Sequence, residues 1–221
     1  MKDITWIFFD LDDTLVHSTE FYATVLKEMG VLQDPLWSKA REAVKTQLGP
    51  LDTSARNRVL YFKKYLEMQS KFSAAQSLHL IQTYEEKLAL RIKEQWKSLQ
   101  RKEFFQELGR RYQLGIVTNE NARTQLVKLN AMDPEGELFH FMLTSEDAGC
   151  EKPNLSIFHQ ALSRAEVSAE KVLFVGDSLE NDCLPALQLG MKVLQTVEFE
   201  DEGSYPEIQR ISSLPQLRDF L

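Results

Sequence analysis

The stretch Phe8-Phe9-Asp10-Leu11-Asp12-Asp13-Thr14-Leu15-Val16 decides how the chain is read. Ahead of its acids, Ile4, Trp6, Ile7, Phe8 and Phe9 make an apolar run rich in β-branched and aromatic residues and too short for a full helix, the pattern of a strand buried on both faces. Three carboxylates within four residues repel one another at the end of such a strand, so stability alone does not account for them. The carboxyl ends of strands in an open α/β sheet are where ligands bind, and acids gathered there point to a cation and to a reaction that needs one.

Downstream of Val16 the pattern turns helical and stays so to about Leu99. Ser18 is expected to cap a helix carrying Phe21, Val25, Leu26 and Met29, which Gly30 ends. A second helix is read over 35–48 with a stop at Gly49-Pro50, and a third from Ser54 carrying Val59, Leu60, Phe62, Tyr65 and Leu66. Ser73-Ala-Ala-Gln76 has the form of a capping box and opens a fourth, with an apolar stripe of Leu78, Ile81, Leu88, Ile92 and Leu99. Four helices with short turns make a small bundle.

From there strands and helices alternate. Strands are read at 114–117, 141–143, 172–175 and 193–196, and helices at 121–130, 156–165 and 181–189 with Gly190 as a stop. Such alternation builds a parallel sheet with right-handed crossovers and helices on both faces, and the first strand must join it because alone it has no partner. The expected fold is therefore α/β, Rossmann-like, with an inserted α-helical bundle: residues 1–15 and 100–221 form the core and 16–99 the insertion. The tail after Phe199 reads as acidic and polar with one last short helix near Leu217.

Bulk properties narrow the function. With 26 basic and 33 acidic residues the net charge is −7, which argues against nucleic acid or an anionic membrane as the main partner. Cys150 and Cys183 form no C-x-x-C pair and the four histidines have no metal-ligand spacing, so neither a disulfide framework nor a zinc site is indicated, and a reducing cytoplasm is the expected location. No leader pattern and no apolar run of membrane-spanning length is read.

Each strand of the expected sheet ends in polar residues of distinct use: Asp10 and Asp12, then Thr118 and Asn119, then Asp177 in Gly176-Asp177-Ser178-Leu179-Glu180-Asn181-Asp182, with Lys152-Pro153 at the start of a helix. Strand ends on one sheet edge lie close together, and several carboxylates, a hydroxyl and a lysine in one pocket suit a dianionic phosphoryl group. In these four ordered motifs, D-x-D-x-T at 10–14, Thr118, Lys152-Pro153 and G-D-x-x-x-x-D at 176–182, the chain resembles the haloacid dehalogenase superfamily over nearly its whole length.

That resemblance implies a phosphatase of small phosphate monoesters with a helical cap inserted after the first motif. It implies Asp10 as nucleophile, forming an aspartyl phosphate, and Asp12 as proton donor and acceptor. It also implies Thr118, Asn119 and Lys152 at the phosphoryl group, Asn119 as an orienting neighbour, and Mg²⁺ held by Asp10, the Asp12 carbonyl, Asp177 and Asp182. The acid at position 12 favours phosphate esters over carbon–halogen bonds, because a halide leaves without a proton. Nucleotide and phosphoglycolate phosphatases are the nearest in kind; a phosphomutase or dehalogenase on the same fold and a non-catalytic binding protein are the rivals. Three features depart from the pattern: Asp13 where Gly is frequent, Glu120 after the second motif, and no Pro-Gly turn before the second motif to mark where the insertion ends. His17 is left open between a substrate contact, a hinge of the insertion and a plain exposed helix start, and the basic run Arg91, Lys93, Lys97, Arg101, Lys102 is read as a solvated face.

Overall fold

The computed structural model of the chain describes residues 3–49, 52–201 and 203–221. Among the described residues six strands make one sheet in the order β3-β2-β1-β4-β5-β6, every neighbouring pair parallel. They are β1 (Trp6–Phe9), β2 (Gln113–Thr118), β3 (Phe141–Thr144), β4 (Val172–Gly176), β5 (Lys192–Thr196) and β6 (Gln209–Ile211). The apolar runs alternate sides as a pleat requires. Ile7, Phe9, Leu114, Ile116, Leu173 and Val175 pack on one face, while Trp6, Phe8, Val117, Val172 and Phe174 pack on the other. Strand order runs outward from β1 on one side and from β4 on the other, so the crevice that such sheets use for ligands opens between the ends of β1 and β4.

Among the described residues five α-helices separate β1 from β2: α1 (Ser18–Glu28), α2 (Pro35–Leu48), α3 (Arg58–Met68) and α4 (Ala74–Ser98), which make up the insertion, and then α5 (Arg101–Gly109), which leads into β2. α2 packs on α3, and α4 packs on α1, α3 and α6 (Ala122–Met132), so the apolar core continues from one sheet face into these helices without a break. α5, α7 (Ser145–Ala148), α8 (Leu155–Arg164) and α9 (Leu184–Gln188) complete the layers.

Several expectations are corrected. Ser18 is the first residue of α1 and not its cap; His17 precedes the helix, and the Thr19 N–H is taken by Asp13 Oδ1 at 3.0 Å. Asp13 has φ +55, which aspartate tolerates better than most residues, and its carboxylate serves the first turn of α1. The third helix starts at Arg58, capped by Asn57, because 53–56 form a separate short 3₁₀ turn. Gly49 ends α2 at φ +90; Pro50 lies outside the described residues.

Ser73 caps α4 by accepting from Gln76 N–H at 3.0 Å, and among the described residues the Gln76 side chain makes no return bond. A full capping box stands instead at Thr144 and Asp147, opening the unexpected helix α7. The buried stripe of α4 is Ile81, Tyr84, Leu88, Ile92 and Trp96, whereas Leu78 and Leu99 are exposed, because α4 meets α3 and α6 on a face centred on its aromatic residues. The helix read over 181–189 is a π-helical turn, Leu179–Cys183, followed by the shorter α9. The tail holds an edge strand, β6, and a 3₁₀ helix, Leu214–Asp219; with only Ile211 of β6 buried, no strand pattern was visible there.

Arg101 is not part of a solvated face. It is 1% exposed at the start of α5, with Nη2 2.5 Å from Glu198 Oε1. The chain leaves α4 through Gln100, at φ +52, so the turn that carried no Pro-Gly signal is made by a left-handed glutamine.

Candidate active site

The end of β1 delivers Asp10, whose N–H donates to Val175 O of β4 at 2.9 Å, which fixes the two strand ends side by side. Asp177 follows β4 directly, and Asp182 returns to the same point through the π-helical turn, in which Ser178 O accepts from both the Asp182 and Cys183 N–H groups at 3.1 Å. Wide turns of this kind recur at functional sites because they redirect one side chain without ending the helix. Gly176 is obligatory for that approach: a Cβ there would lie 2.5 Å from atoms of the Asp182 side chain. Carboxylate oxygens of Asp10, Asp177 and Asp182 lie within 4.8 Å of one another, all three residues buried.

Lys152 enters this cluster from the loop before α8, its Nζ 2.8 Å from Asp10 Oδ1 and 2.5 Å from Asp182 Oδ1. The loop is held by Asn119, whose Oδ1 accepts from Lys152 N–H at 2.7 Å and whose Nδ2 donates to Lys152 O at 2.8 Å, next to the cis Lys152-Pro153 peptide. Asn119 thus spends both ends of its amide on positioning the lysine. Burial would lower the Lys152 ammonium, yet Asp10 and Asp182 raise it overall, so it stays charged. Burial, and after it the charges of Asp10 and Asp182, pushes Asp177 up to about 8 despite a 2.8 Å bond from Thr14 Oγ1; burial likewise pushes Asp182 up to about 7 against the pull of Lys152. One lysine does not balance three buried carboxylates, and an all-oxygen donor set with that excess of charge fits a small hard cation.

Asp12 does not join the cluster through its side chain. Its carboxylate bonds Lys128 Nζ, accepts from Gln125 Nε2 at 2.9 Å and from Tyr22 OH at 3.2 Å. Burial would raise its carboxyl, but Lys128 outweighs that and holds it at about 2. Thr118 is fully buried, takes a 2.7 Å bond from Gln125 Nε2, and is not part of the cavity lining.

A cavity of about 860 Å³ opens over Asp10, Asp12, Lys152, Asp177 and Asp182, with α1, α2 and α3 contributing to its walls. Glu120 lines it, ion-paired with Arg58 of α3, and Arg56 reaches Glu151 at 3.3 Å, so two ion pairs span from the helical insertion to the loops after β2 and before α8. His17 stays outside it, stacked on Phe199 at 5.2 Å, with its N–H donated to Gln95 Oε1 at 3.0 Å.

Sequence reasoning missed Lys128, Gln125, Tyr22 and Arg58. Their signal was faint: on α6 the lysine at 128 is buried while Leu126 is exposed, an inversion that has meaning only once α6 is known to lie over Asp12.

The model of the haloacid dehalogenase-like hydrolase family matches residues 7–196. The chain belongs to that family. Glyceraldehyde 3-phosphate phosphatase of Methanocaldococcus jannaschii is 25% identical, covering 99% of this chain and 97% of that protein. Among solved structures, the hydrolase YfnB of Bacillus subtilis, bound to magnesium, aligns over 100% of this chain and 99% of its own at a TM-score of 0.67 and 20% identity. A 2-haloacid dehalogenase of Pseudomonas syringae aligns over 98% and 97% at a TM-score of 0.68 and 21% identity. These two structures share the fold. No described helix is long and apolar enough to cross a membrane.

Proposed function

We propose that this chain hydrolyses small phosphate monoesters, of the nucleotide or phosphoglycolate kind, with Mg²⁺ and through an aspartyl-phosphate intermediate. At the coarser level it is a phosphatase of the haloacid dehalogenase-like family. The observation that carries the finer reading is the buried cluster of Asp10, Asp177 and Asp182 beside Lys152, opening into the cavity at the crevice between β1 and β4. In this reading residues 16–99 are a cap that screens the cavity from water, and 1–15 with 100–221 are the catalytic core. The net charge of −7 supports a protein without nucleic-acid or anionic-membrane partners, and two cysteines with no C-x-x-C pairing suit a reducing cytoplasm.

Asp10 attacks phosphorus as the ester P–O bond breaks, and Asp12 gives the leaving oxygen a proton; Asp12 then takes a proton from the water that attacks the aspartyl phosphate, releasing inorganic phosphate and Asp10. Asp10, the Asp12 carbonyl, Asp177 and Asp182 would hold Mg²⁺, which when bound supplies positive charge to the phosphoryl oxygens. Lys152 supplies further positive charge while holding Asp10 and Asp182 in place, with Thr118 and Asn119 assigned to the phosphoryl side of the site. The ionised state that Lys128 imposes on Asp12 suits the second step; donation in the first requires the carboxyl to leave Lys128 and take up a proton. An acid at this position supports ester cleavage over carbon–halogen cleavage.

Phosphate release from p-nitrophenyl phosphate tests the reading: turnover with MgCl2 that stops with EDTA and returns on adding Mg²⁺ is expected, and turnover indifferent to EDTA would sink the metal assignment. Asp12→Asn should lose turnover, and because the amide carries no charge it also leaves the fully buried Lys128 ammonium uncompensated and lowers stability. Asp12→Ala should lose turnover and also about 3 kcal/mol of stability, because it strands the fully buried Lys128 ammonium. An unfolding midpoint of either variant equal to that of the wild type would contradict that role for the Lys128 pair.

A further inference from the structure

The helical insertion brings cations as well as apolar side chains to the cavity wall. α2 contributes Trp37, Arg41, Lys45 and Thr46 to the lining and no acid, whereas every acidic residue there comes from loops and turns of the sheet domain. Trp37, Arg41 and Lys45 follow one another at intervals of four, so they lie along one face of α2. An indole N–H, a guanidinium and an ammonium are donors only. Trp37 is 2% exposed and packs edge-on against Tyr61 and Tyr65, so its ring backs the wall to which Arg41 and Lys45 bring charge. The cations divide: Arg56 and Arg58 are taken by Glu151 and Glu120, whereas Arg41 and Lys45 have no carboxylate partner among the described residues. Arg41 lies 5.9 Å from the Tyr61 ring centre, over an aromatic wall.

We propose that this face of α2 seats a second anionic group of the substrate, a carboxylate or a second phosphate, at the end of the ester remote from the phosphoryl group being transferred. The proposal rests on the phosphatase reading for which end of the ligand meets Asp10. In a strongly acidic chain, a donor face left unpaired on a cavity wall selects for anions. It would give specificity through binding energy made at the end of the substrate remote from phosphorus.

Binding of non-hydrolysable phosphonates by calorimetry, with MgCl2 present, tests it. Propylphosphonate lacks a second anion; a series of ω-phosphonocarboxylates and a series of α,ω-bisphosphonates, each with two to six methylenes, supply a carboxylate or a second phosphonate. At least one chain length is expected to bind tenfold or more tightly than propylphosphonate, and the series in which it falls identifies the anion. In the Arg41→Ala/Lys45→Ala variant, both sites being exposed, that gain should disappear while propylphosphonate affinity moves less than twofold. The proposal is overturned if no member of either series gains more than twofold, or if the gain survives in the variant. Hydrolysis of p-nitrophenyl phosphate is measured alongside: inactivity with the tail preference intact would remove the catalytic reading and leave the anion seat standing.

Discussion

Asp10→Asn is expected to lower hydrolysis of p-nitrophenyl phosphate by at least about 10³-fold without unfolding the protein, since removing a covalent nucleophile leaves only what binding and electrostatics supply. The amide keeps the volume of the carboxyl at a residue packed between β1 and β4, so the strand ends stay joined through the Asp10 N–H bond to Val175. Charge accounts for the intact fold. The wild-type cluster gathers Asp10, Asp177 and Asp182, with Lys152 on Asp10 and Asp182; the variant removes one repelling charge and leaves Lys152 paired with Asp182 at 2.5 Å. In Mg²⁺-free buffer the variant should therefore melt no lower than wild type, while the rise in melting temperature on adding Mg²⁺ should shrink, as one ligand is gone. Retention of more than a tenth of wild-type turnover would exclude Asp10 as the nucleophile.

Glu198→Gln is expected to cost about 3–5 kcal/mol, the usual penalty for leaving a buried charge without its partner. Arg101 is 1% exposed and its Nη2 meets Glu198 Oε1 at 2.5 Å, while Glu198 Oε2 accepts from Leu214 N–H at 2.8 Å. The carboxylate thus joins the start of α5 to the 3₁₀ helix at the end of the chain. An amide in place of that carboxylate would keep one acceptor and lose the charge, so the guanidinium would remain desolvated and uncompensated. For a domain of this size the melting temperature should fall by on the order of 10 °C. Adding Arg101→Met should restore most of the loss, because the double variant has no buried charge left to compensate. A fall of less than about 2 °C in the single variant would show that the pair is not a stabilising requirement.

The second case also marks a limit of reading residues in order. Arg101 stands in a run of basic residues that looks like a solvated helix face, and nothing local separates it from Lys97 or Lys102. Its burial follows from a partner 97 positions away. Leu78 erred in the opposite direction: it fits a helical stripe by spacing, but the face α4 presents to its neighbours is set by Tyr84 and Trp96, and Leu78 is left 65% exposed.

The acid run after an apolar strand, the alternation of strands and helices, and the polar residues at strand ends were enough to establish the α/β sheet and to nominate Asp10, Asp177, Asp182 and Lys152 as neighbours. Those features are legible because they are local: pleat and helix periods, and the geometry that puts parallel strand ends on one edge, act within a few residues of each position. Tertiary structure alone decided that Asp12 is gripped by Lys128, Gln125 and Tyr22, that Asn119 clamps the Lys152 backbone, and that α2 turns Trp37, Arg41 and Lys45 toward the cavity. Each of these joins side chains from separate elements, and which faces meet is settled by how whole helices pack on the sheet and on one another, information that is spread over the chain and not carried by any one stretch of it.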